Sequence, residues 1–259
     1  MPSIADKLKQ YPSLVENKRY GTGQFRRYMR FTRLSDQLLS AKLIDSCHAF
    51  DLSVEHNQTH LLHVEGQWHR HPTTGCAGAG LAMQKLSGLP LSSDVFSLRR
   101  LTDAKTYCTH MFDLLSFAVA HIHRQRSDRL YQIDVHDTVD YPQPISLYID
   151  DEQAYQFKIN ETEFIEPEFM IGAPTRQGLY KWAKKHLDEE KQEIAVMAQM
   201  ALFVSYSQHF DLNAMAGEPA LAIGPSLGSC YALQPERAEN SRRLSSQRES
   251  DHIKAEIIK

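Results

Sequence analysis

The sequence predicts an α+β fold, in which a small antiparallel sheet carries two adjacent helices that each begin at a cysteine, extended by a β-meander and C-terminal helices. Two observations support this prediction. Apolar and polar residues alternate with period two before Pro72 and again after Asp128, as they do in half-buried strands. Between these stretches the apolar residues recur with helical spacing, and Cys76 and Cys108 stand where the two helices are predicted to start.

A stretch rich in arginine and aromatic residues, from 18 to 33, precedes the first strands. Such a mixture can stack nucleic-acid bases and hold phosphates. An edge strand or arm whose rings pack while its arginines stay hydrated explains it more simply, and we prefer that interpretation. Arg26 and Arg27 also suit the carboxylate or phosphate of a small ligand, so we predict that they bind substrate. Residues 34 to 45 then form either a helix or a first strand from Ala41.

Two strands joined by a turn at Asn57 and Gln58 come next. Their even-numbered residues form an apolar face, and the odd-numbered face of the second strand presents His69 and His71. Such a face is usually only solvated, yet two histidines at this spacing on a strand can also converge on a metal ion or a substrate. His48, ahead of the first of these strands, is a further candidate for the same site.

The first helix is predicted from Cys76 to a stop at Ser87 and Gly88, after Pro72 has ended the strand. The free N–H groups and the dipole of a helix N-terminus favour a thiolate, so Cys76 is a candidate nucleophile or metal ligand. The equally weighted alternative is a small buried residue in the tight run Gly-Cys-Ala-Gly-Ala-Gly.

The second helix is predicted to hold Cys108 and His110 in its first turn, ahead of an amphipathic apolar repeat between 111 and 122. A thiol and an imidazole two residues apart can both face the N-terminal end of a helix. We therefore predict Cys76, Cys108 and His110 as catalytic residues, with Asp113 as a further substrate-binding residue.

Period two returns from 129 to 166, in segments separated by turn residues, which predicts an antiparallel meander. Two helices, or one bent helix, follow from Pro174. Residues from about Pro235 are charged and poor in apolar side chains, and we expect them to contribute little to folding. The expected division is a core at 18–127, a β-meander and helical extension packed on it at 128–215, and an irregular to flexible tail at 216–259.

Charge and composition disfavour several function classes. The chain has 259 residues, a formal net charge of -3 and four cysteines. A charge so near neutral gives no reason to expect nucleic acid or an anionic membrane as partner, and so few cysteines in a chain of this length disfavour a disulfide scaffold. Neither an apolar signal segment nor a membrane span is visible in the sequence. We expect a cytoplasmic protein with a small-molecule substrate, either monomeric or homo-oligomeric.

The motifs Pro72-Thr-Thr-Gly-Cys76 and Tyr107-Cys108-Thr-His110 resemble those of the bacterial domain-of-unknown-function 2889 family, and the likeness extends through Gly178-Leu-Tyr-Lys-Trp182. It covers most of residues 20 to 210 and implies no settled activity. This sequence departs from the family pattern at Met111, where leucine is usual, and at the tyrosine before Cys108.

A more distant likeness concerns the fold. Two strands, a Gly-Cys at a helix start and a second helix opening on a cysteine are similar to NifU-type iron–sulfur scaffold proteins, in which three cysteines meet at one metal site. Cys76 and Cys108 match the second and third of these positions, and Cys47 or His48, with Asp51 nearby, stands for the first. The full Asn-Pro-x-Cys-Gly-Asp motif is absent, so the likeness implies the fold rather than the scaffold function.

From these residues we predict an enzyme that acts on a small organic substrate, as a lyase, hydratase or hydrolase. Two thiolates and two imidazoles would form a zinc or iron site, and a catalytic version would keep one position open for water or substrate. The candidate ligands are His48, His69, His71, Cys76, Cys108 and His110. Without a metal, Cys76 or Cys108 would be the nucleophile and His110 the base. The alternatives are a non-catalytic metal-cluster or sulfur carrier of the NifU type and a small nucleic-acid-binding protein.

Overall fold

The computed structural model describes residues 14–222 and 226–249, together with Ile253 and Ile257. One eight-stranded antiparallel sheet forms its centre, with the strand order β4-β3-β2-β1-β5-β6-β7-β8. The α+β class is confirmed, but the sheet is larger than the small one expected, because the two predicted groups of strands join through β1 and β5. The strands are β1 (Gln24–Ser35), β2 (Leu38–Asp45), β3 (Ala49–His56), β4 (Leu61–Arg70), β5 (Arg129–His136), β6 (Gln143–Ile149), β7 (Glu152–Ile159) and β8 (Phe164–Glu166).

Two long helices pack on this sheet. The α-helices of the described chain are α1 (Ala79–Ala82), α2 (Ser97–Leu101), α3 (Thr109–His123), α4 (Leu179–His186), α5 (Glu189–Ser205) and α6 (Pro235–Ala238). Helix α3 lies on β1, β2 and β3, and α5 lies on β5, β1 and β6. Every residue of α3 from 111 to 122 is buried, which is more than an amphipathic surface helix would bury.

The chain consists of two units with the same topology. In each unit a four-stranded meander is followed by a longer helix that packs on it, and the two meanders meet where β1 pairs antiparallel with β5. The sheet therefore runs across the boundary expected at 127 and 128.

The two faces of the sheet have different coverings. On β1, Phe25 and Phe31 point toward the helices and belong to the main core. Tyr28 points to the opposite face, where it packs with Ile253 and Ile257. Strand β1 is thus a central strand with both faces covered, and the expectation of an edge strand or a hydrated arm at this stretch is wrong.

The segment from 73 to 86 lies unusually close to β4. A Cβ atom built on Gly80 would come 1.9 Å from the carbonyl oxygen of Gly66, so glycine is required at this contact. The segment forms a 3-10 turn (Thr74–Cys76), helix α1 and a second 3-10 turn (Met83–Leu86), not the continuous helix expected. Cys76 therefore ends a 3-10 turn and begins no α-helix, because the glycines of this run lower the helix propensity. Cys108, by contrast, is the N-cap residue of α3.

The described part of the C-terminal segment packs on the core. The backbone N–H of Leu244 donates to the carbonyl oxygen of Pro72 (3.0 Å), and that of Thr74 donates to Arg242 (2.8 Å). Ile253 is 0% exposed. The expectation of a tail that contributes little to the fold is therefore corrected for these residues, because backbone pairing and a few well-placed apolar side chains hold a segment whose composition is mostly polar.

Candidate active site

The candidate site is built on the tight turn between β2 and β3. The backbone N–H of Asp45 donates to the carbonyl oxygen of His48 (2.8 Å), which closes the hairpin. The Asp45 side chain closes it a second time, since Oδ1 accepts the backbone N–H groups of Cys47 and His48 at 2.8 Å each. Aspartate side chains commonly fix turns in this way. The result is that the imidazole of His48 lies against the carboxylate of Asp45.

Arg27 lies directly opposite Asp45 in the β1–β2 register. It donates to Oδ2 of Asp45 through Nη2 (2.6 Å) and Nε (3.1 Å), and the two side chains are 1% and 0% exposed. Burial by itself raises the pKa of Asp45, but the attraction of His48 and Arg27 outweighs burial and brings the pKa well below its usual value. Asp45 is therefore a carboxylate at neutral pH.

The carboxylate fixes the tautomer of His48. Nδ1 of His48 lies 3.0 Å from Oδ1 of Asp45 and 3.3 Å from Oδ2. Because a carboxylate can only accept hydrogen bonds, Nδ1 must carry a proton. In the neutral imidazole Nε2 then holds a free lone pair, which is the arrangement of an oriented general base.

His110 stands beside His48, in the first turn of α3. The centroids of the two rings are 4.1 Å apart, and their planes are inclined by 33°. Burial lowers the pKa of His110 well below its usual value, and the charge that His48 carries when it is protonated, together with that of Arg27, lowers it further. His110 is thus neutral at pH 7, with one ring nitrogen that donates and one that accepts.

Both histidines line a cavity of about 990 Å³. Its mostly apolar walls come from the turn at His48, Trp68 of β4, the first turn of α3, the end of α5 and the C-terminal segment. This volume lies at the upper end of the range for pockets that take small organic ligands, which runs to roughly 1,000 Å³.

The cysteines border the same cavity. Cys47, Cys76, Cys108 and Cys230 are unpaired, and all four contribute to its lining. Burial raises the pKa of the Cys76 thiol to about 11, and burial together with neighbouring Cys76 raises the pKa of Cys108. These two thiols are protonated at neutral pH, contrary to the expectation that a helix N-terminus favours their thiolates. Within the described chain, His110 makes no hydrogen bond to a cysteine.

Arg243 lies in the C-terminal segment and contributes to the lining of the cavity. Its side chain is buried (7% exposed for the residue), and Nη2 donates to the carbonyl oxygen of Ala220 at 3.2 Å. No acceptor for its Nε lies among the described residues.

The predicted substrate-binding residues divide between the two faces of the sheet. Arg27 and Arg26 are consecutive on β1 and so point to opposite faces. Arg26 pairs with Asp134 (2.8 Å), away from the cavity. Asp113 does line the cavity, where it forms an ion pair with Arg99. Burial raises the pKa of Asp113, and the charge of Arg99 opposes that rise.

His69 and His71 do not join the other predicted ligands. His69 follows the cavity-lining Trp68 on β4, so it points to the other face, where Nε2 lies 3.0 Å from Oδ2 of Asp51. His71 packs against Trp68, and its Nδ1 donates to the carbonyl oxygen of Thr73 (2.9 Å).

The donor side chains of the described residues do not fit the predicted zinc or iron site. Across the part of the chain that the structure describes, no three His, Cys, Asp or Glu side chains are arranged to hold a metal ion. The six candidate ligands therefore do not form a donor set here, and no step proposed below involves a metal.

Several site residues were missed from the sequence. Asp45 stands three residues before His48, at the end of an alternating strand, and an aspartate at a predicted turn could have indicated its role. Trp68 was assigned only to the apolar face. Cys230 and Arg243 lie in a polar segment far from His48 in sequence, and no local pattern points to them.

A scan against known protein families finds no match for this chain, and a search of curated proteins finds no relative. Within the described residues, no helix combines the length and apolar character needed to cross a bilayer.

Proposed function

We propose that the chain is an enzyme that moves a proton on a small organic substrate, with His48 as the general base and His110 as a hydrogen-bond donor to the substrate. The arrangement that supports this proposal is the chain of contacts from Arg27 through Asp45 to His48, which ends beside His110 at the wall of the cavity. Lyases, hydratases and hydrolases all use a positioned base for such a step.

Asp45 acts on the substrate only through His48. Its carboxylate holds Nδ1 of the imidazole, so Nε2 is the nitrogen that takes the proton. When His48 becomes positively charged, the same carboxylate stabilises the imidazolium. Arg27 keeps Asp45 ionised in a buried position, where an unpaired carboxyl group would otherwise be protonated.

His110 supplies a neutral hydrogen-bonding group next to the base. Because burial disfavours its protonation, it can donate to a substrate oxygen from one nitrogen without a net charge of its own. The thiols of Cys76 and Cys108 then form part of the apolar wall, since their raised pKa values disfavour the thiolate that a nucleophile requires.

The other functions predicted from the sequence gain no specific observation. A metal-cluster or sulfur carrier needs a donor set, and none is arranged among the described residues. For nucleic-acid binding, Arg26 and Arg27 at the centre of the basic stretch already pair with Asp134 and Asp45.

The test is a substrate screen with matched histidine variants. The purified protein is incubated with apolar esters, lactones, hydroxy acids and α,β-unsaturated acids, and products are detected by liquid chromatography and mass spectrometry. His48→Gln should lower kcat/KM by about 10²–10⁴-fold on any substrate found, which is the usual contribution of a general base. His69→Gln is the control, because His69 also lies 3.0 Å from an aspartate but points away from the cavity.

Three outcomes decide the proposal. Loss of turnover in His48→Gln and His110→Gln, with full turnover in His69→Gln, supports it. Equal turnover in His48→Gln and the wild type overturns it. Loss of turnover only in Cys76→Ser or Cys108→Ser would instead favour the thiolate mechanism predicted from the sequence.

A further inference from the structure

Arg243 occupies an unusual position for an arginine, because it is buried at a cavity wall and held there by its backbone. Its N–H donates to the carbonyl oxygen of Glu218 (2.9 Å), and its carbonyl oxygen accepts the N–H of Gly217 (3.0 Å). On the other side it forms an isolated bridge with Thr73. The backbone of Arg243 is therefore paired on both edges, and no counter-ion from the described part of the chain holds the guanidinium in place.

Arg243 has no ion-pair partner in the described chain. Within that part of the molecule no aspartate or glutamate pairs with it, and its hydrogen bond is to the neutral carbonyl oxygen of Ala220. The other buried arginine next to the site, Arg27, shows the usual arrangement, with two hydrogen bonds to Asp45. Two thiols, those of Cys47 and Cys76, act on the charge of Arg243. Both are protonated at neutral pH, because burial raises the pKa of each.

A buried cation without an anion is unfavourable, since the charge loses its hydration and gains no ion pair. Burial accordingly lowers the pKa of Arg243, although arginine stays charged in proteins. An anion that enters the cavity would remove this unfavourable term. It would also gain a charge-assisted hydrogen bond from a planar donor group that matches the two oxygens of a carboxylate.

We propose that the cavity binds an apolar organic acid whose carboxylate pairs with Arg243, so that the apolar body lies along the wall near His48 and His110. This inference deepens the proposed function and rests on it for the statement that the bound acid is the substrate. A carboxylate fits better than a phosphate dianion, because Arg243, the one buried arginine among the described residues that line the cavity, neutralises one negative charge. The mostly apolar lining and the volume of about 990 Å³ suit a body of medium size.

Binding is measured by isothermal titration calorimetry at pH 7.5, on the full chain. The probes are hexanoate, decanoate and 3-(2-naphthyl)propanoate, each compared with its own primary amide, and phenyl phosphate as the phosphate probe. The amide keeps the body and removes the charge, so the ratio of the two dissociation constants isolates the ion pair. For at least one acid we expect about ten- to hundredfold tighter binding than for its amide, the range given by charge-assisted hydrogen bonds.

The variants assign that preference to one residue. Arg243→Gln should abolish the preference for the acid over the amide, and Arg243→Lys should keep only part of it, because the ammonium lacks the planar fork. Arg242→Gln is the matched control. It removes the same charge from the adjacent residue, whose side chain is exposed and bonds to backbone carbonyl oxygens of the same segment.

Folding of the variants is checked by urea titration. Because no counter-ion of Arg243 lies among the described residues, Arg243→Gln should unfold at the same or a higher urea concentration than the wild type. The inference is overturned if no acid binds more tightly than its amide, if Arg243→Gln retains the preference, or if phenyl phosphate binds more tightly than every acid.

The same titrations separate this inference from the proposed function. His48→Gln should keep the preference for the acid over its amide, because His48 acts on the proton and not on the carboxylate. If acids bind through Arg243 but His48→Gln turns over normally, the proposed function fails alone. If His48→Gln is inactive but acids bind no better than amides, the inference about the substrate class fails alone.

Discussion

Replacing Asp45 by Asn tests whether the buried ion pair organises the site. Asparagine keeps the size of the side chain and one oxygen for the backbone N–H groups of Cys47 and His48, but it removes the charge that faces Arg27. Arg27, which is 1% exposed, would then remain buried without its counter-ion. Removing one member of a buried pair costs about 3–5 kcal/mol, so the free energy of unfolding of Asp45→Asn should fall by about that amount.

Urea titrations at pH 7, followed by circular dichroism, measure this loss. Glu166→Gln is the control, since the side chains of the Lys158–Glu166 pair are 41% and 49% exposed and such pairs contribute less than about 1 kcal/mol. The double variant Arg27→Met/Asp45→Asn removes both charges and should regain most of the loss. A loss below about 1 kcal/mol for Asp45→Asn, at an unchanged m value, would refute the reasoning.

Three further predictions concern pH, thiol reactivity and the C-terminal segment. Burial lowers the pKa of His121 to about 4, so between pH 7 and 5 the unfolded chain binds a proton that the folded chain does not. The free energy of unfolding should therefore fall by about 2 kcal/mol from this group over that pH range. Urea titrations of His121→Phe at both pH values should lack that contribution. Burial raises the pKa of Cys108, so iodoacetamide at pH 8 should alkylate this thiol far more slowly than it alkylates glutathione. Mass spectrometry follows both reactions, and equal rates would contradict a protonated, buried Cys108. Deleting residues 236–259 removes the buried Ile253 and Ile257, and burial of two isoleucines alone contributes about 3–6 kcal/mol. The melting temperature of the truncated chain should therefore fall. An unchanged melting temperature would show that this segment does not dock on the core.

The local strand pattern of this fold is predictable from the sequence, but the partners of the strands are not. The alternation that predicts β3, β4 and the meander from 129 to 166 is a property of each segment, and the structure confirms those strands. The pairing of β1 with β5 depends on contacts between segments about one hundred residues apart. Without that pairing, the stretch from 18 to 33 has the composition of an exposed arm. Arg26 and Arg27 are compatible with a central strand because Asp134 and Asp45 neutralise them.

The candidate site could be predicted only in part, for an electrostatic reason. The sequence predicts His48 as a site residue ahead of a strand and His110 as one at a helix start, and the structure brings the two side chains together. The prediction of thiolates assumed that the helix dipole decides the ionisation of Cys76 and Cys108. In the folded chain burial is the larger effect, and it raises both pKa values. Whether a side chain is buried depends on long-range packing, which the sequence pattern around a cysteine does not report.

Three features that cost stability lie at or next to one cavity. Arg27 and Asp45 form a buried ion pair, Cys108 is an N-cap residue whose side chain makes no capping hydrogen bond, and Arg243 has no counter-ion within the described chain. The second unit has the same topology, yet its helix α5 follows the usual rule, since the side chain of Asp188 accepts a backbone N–H of the first turn (2.8 Å). The topology itself therefore does not require a helix start without a side-chain cap. Departures from local folding rules of this kind are expected where a site is kept for function, and they support the placement of the chemistry at this cavity.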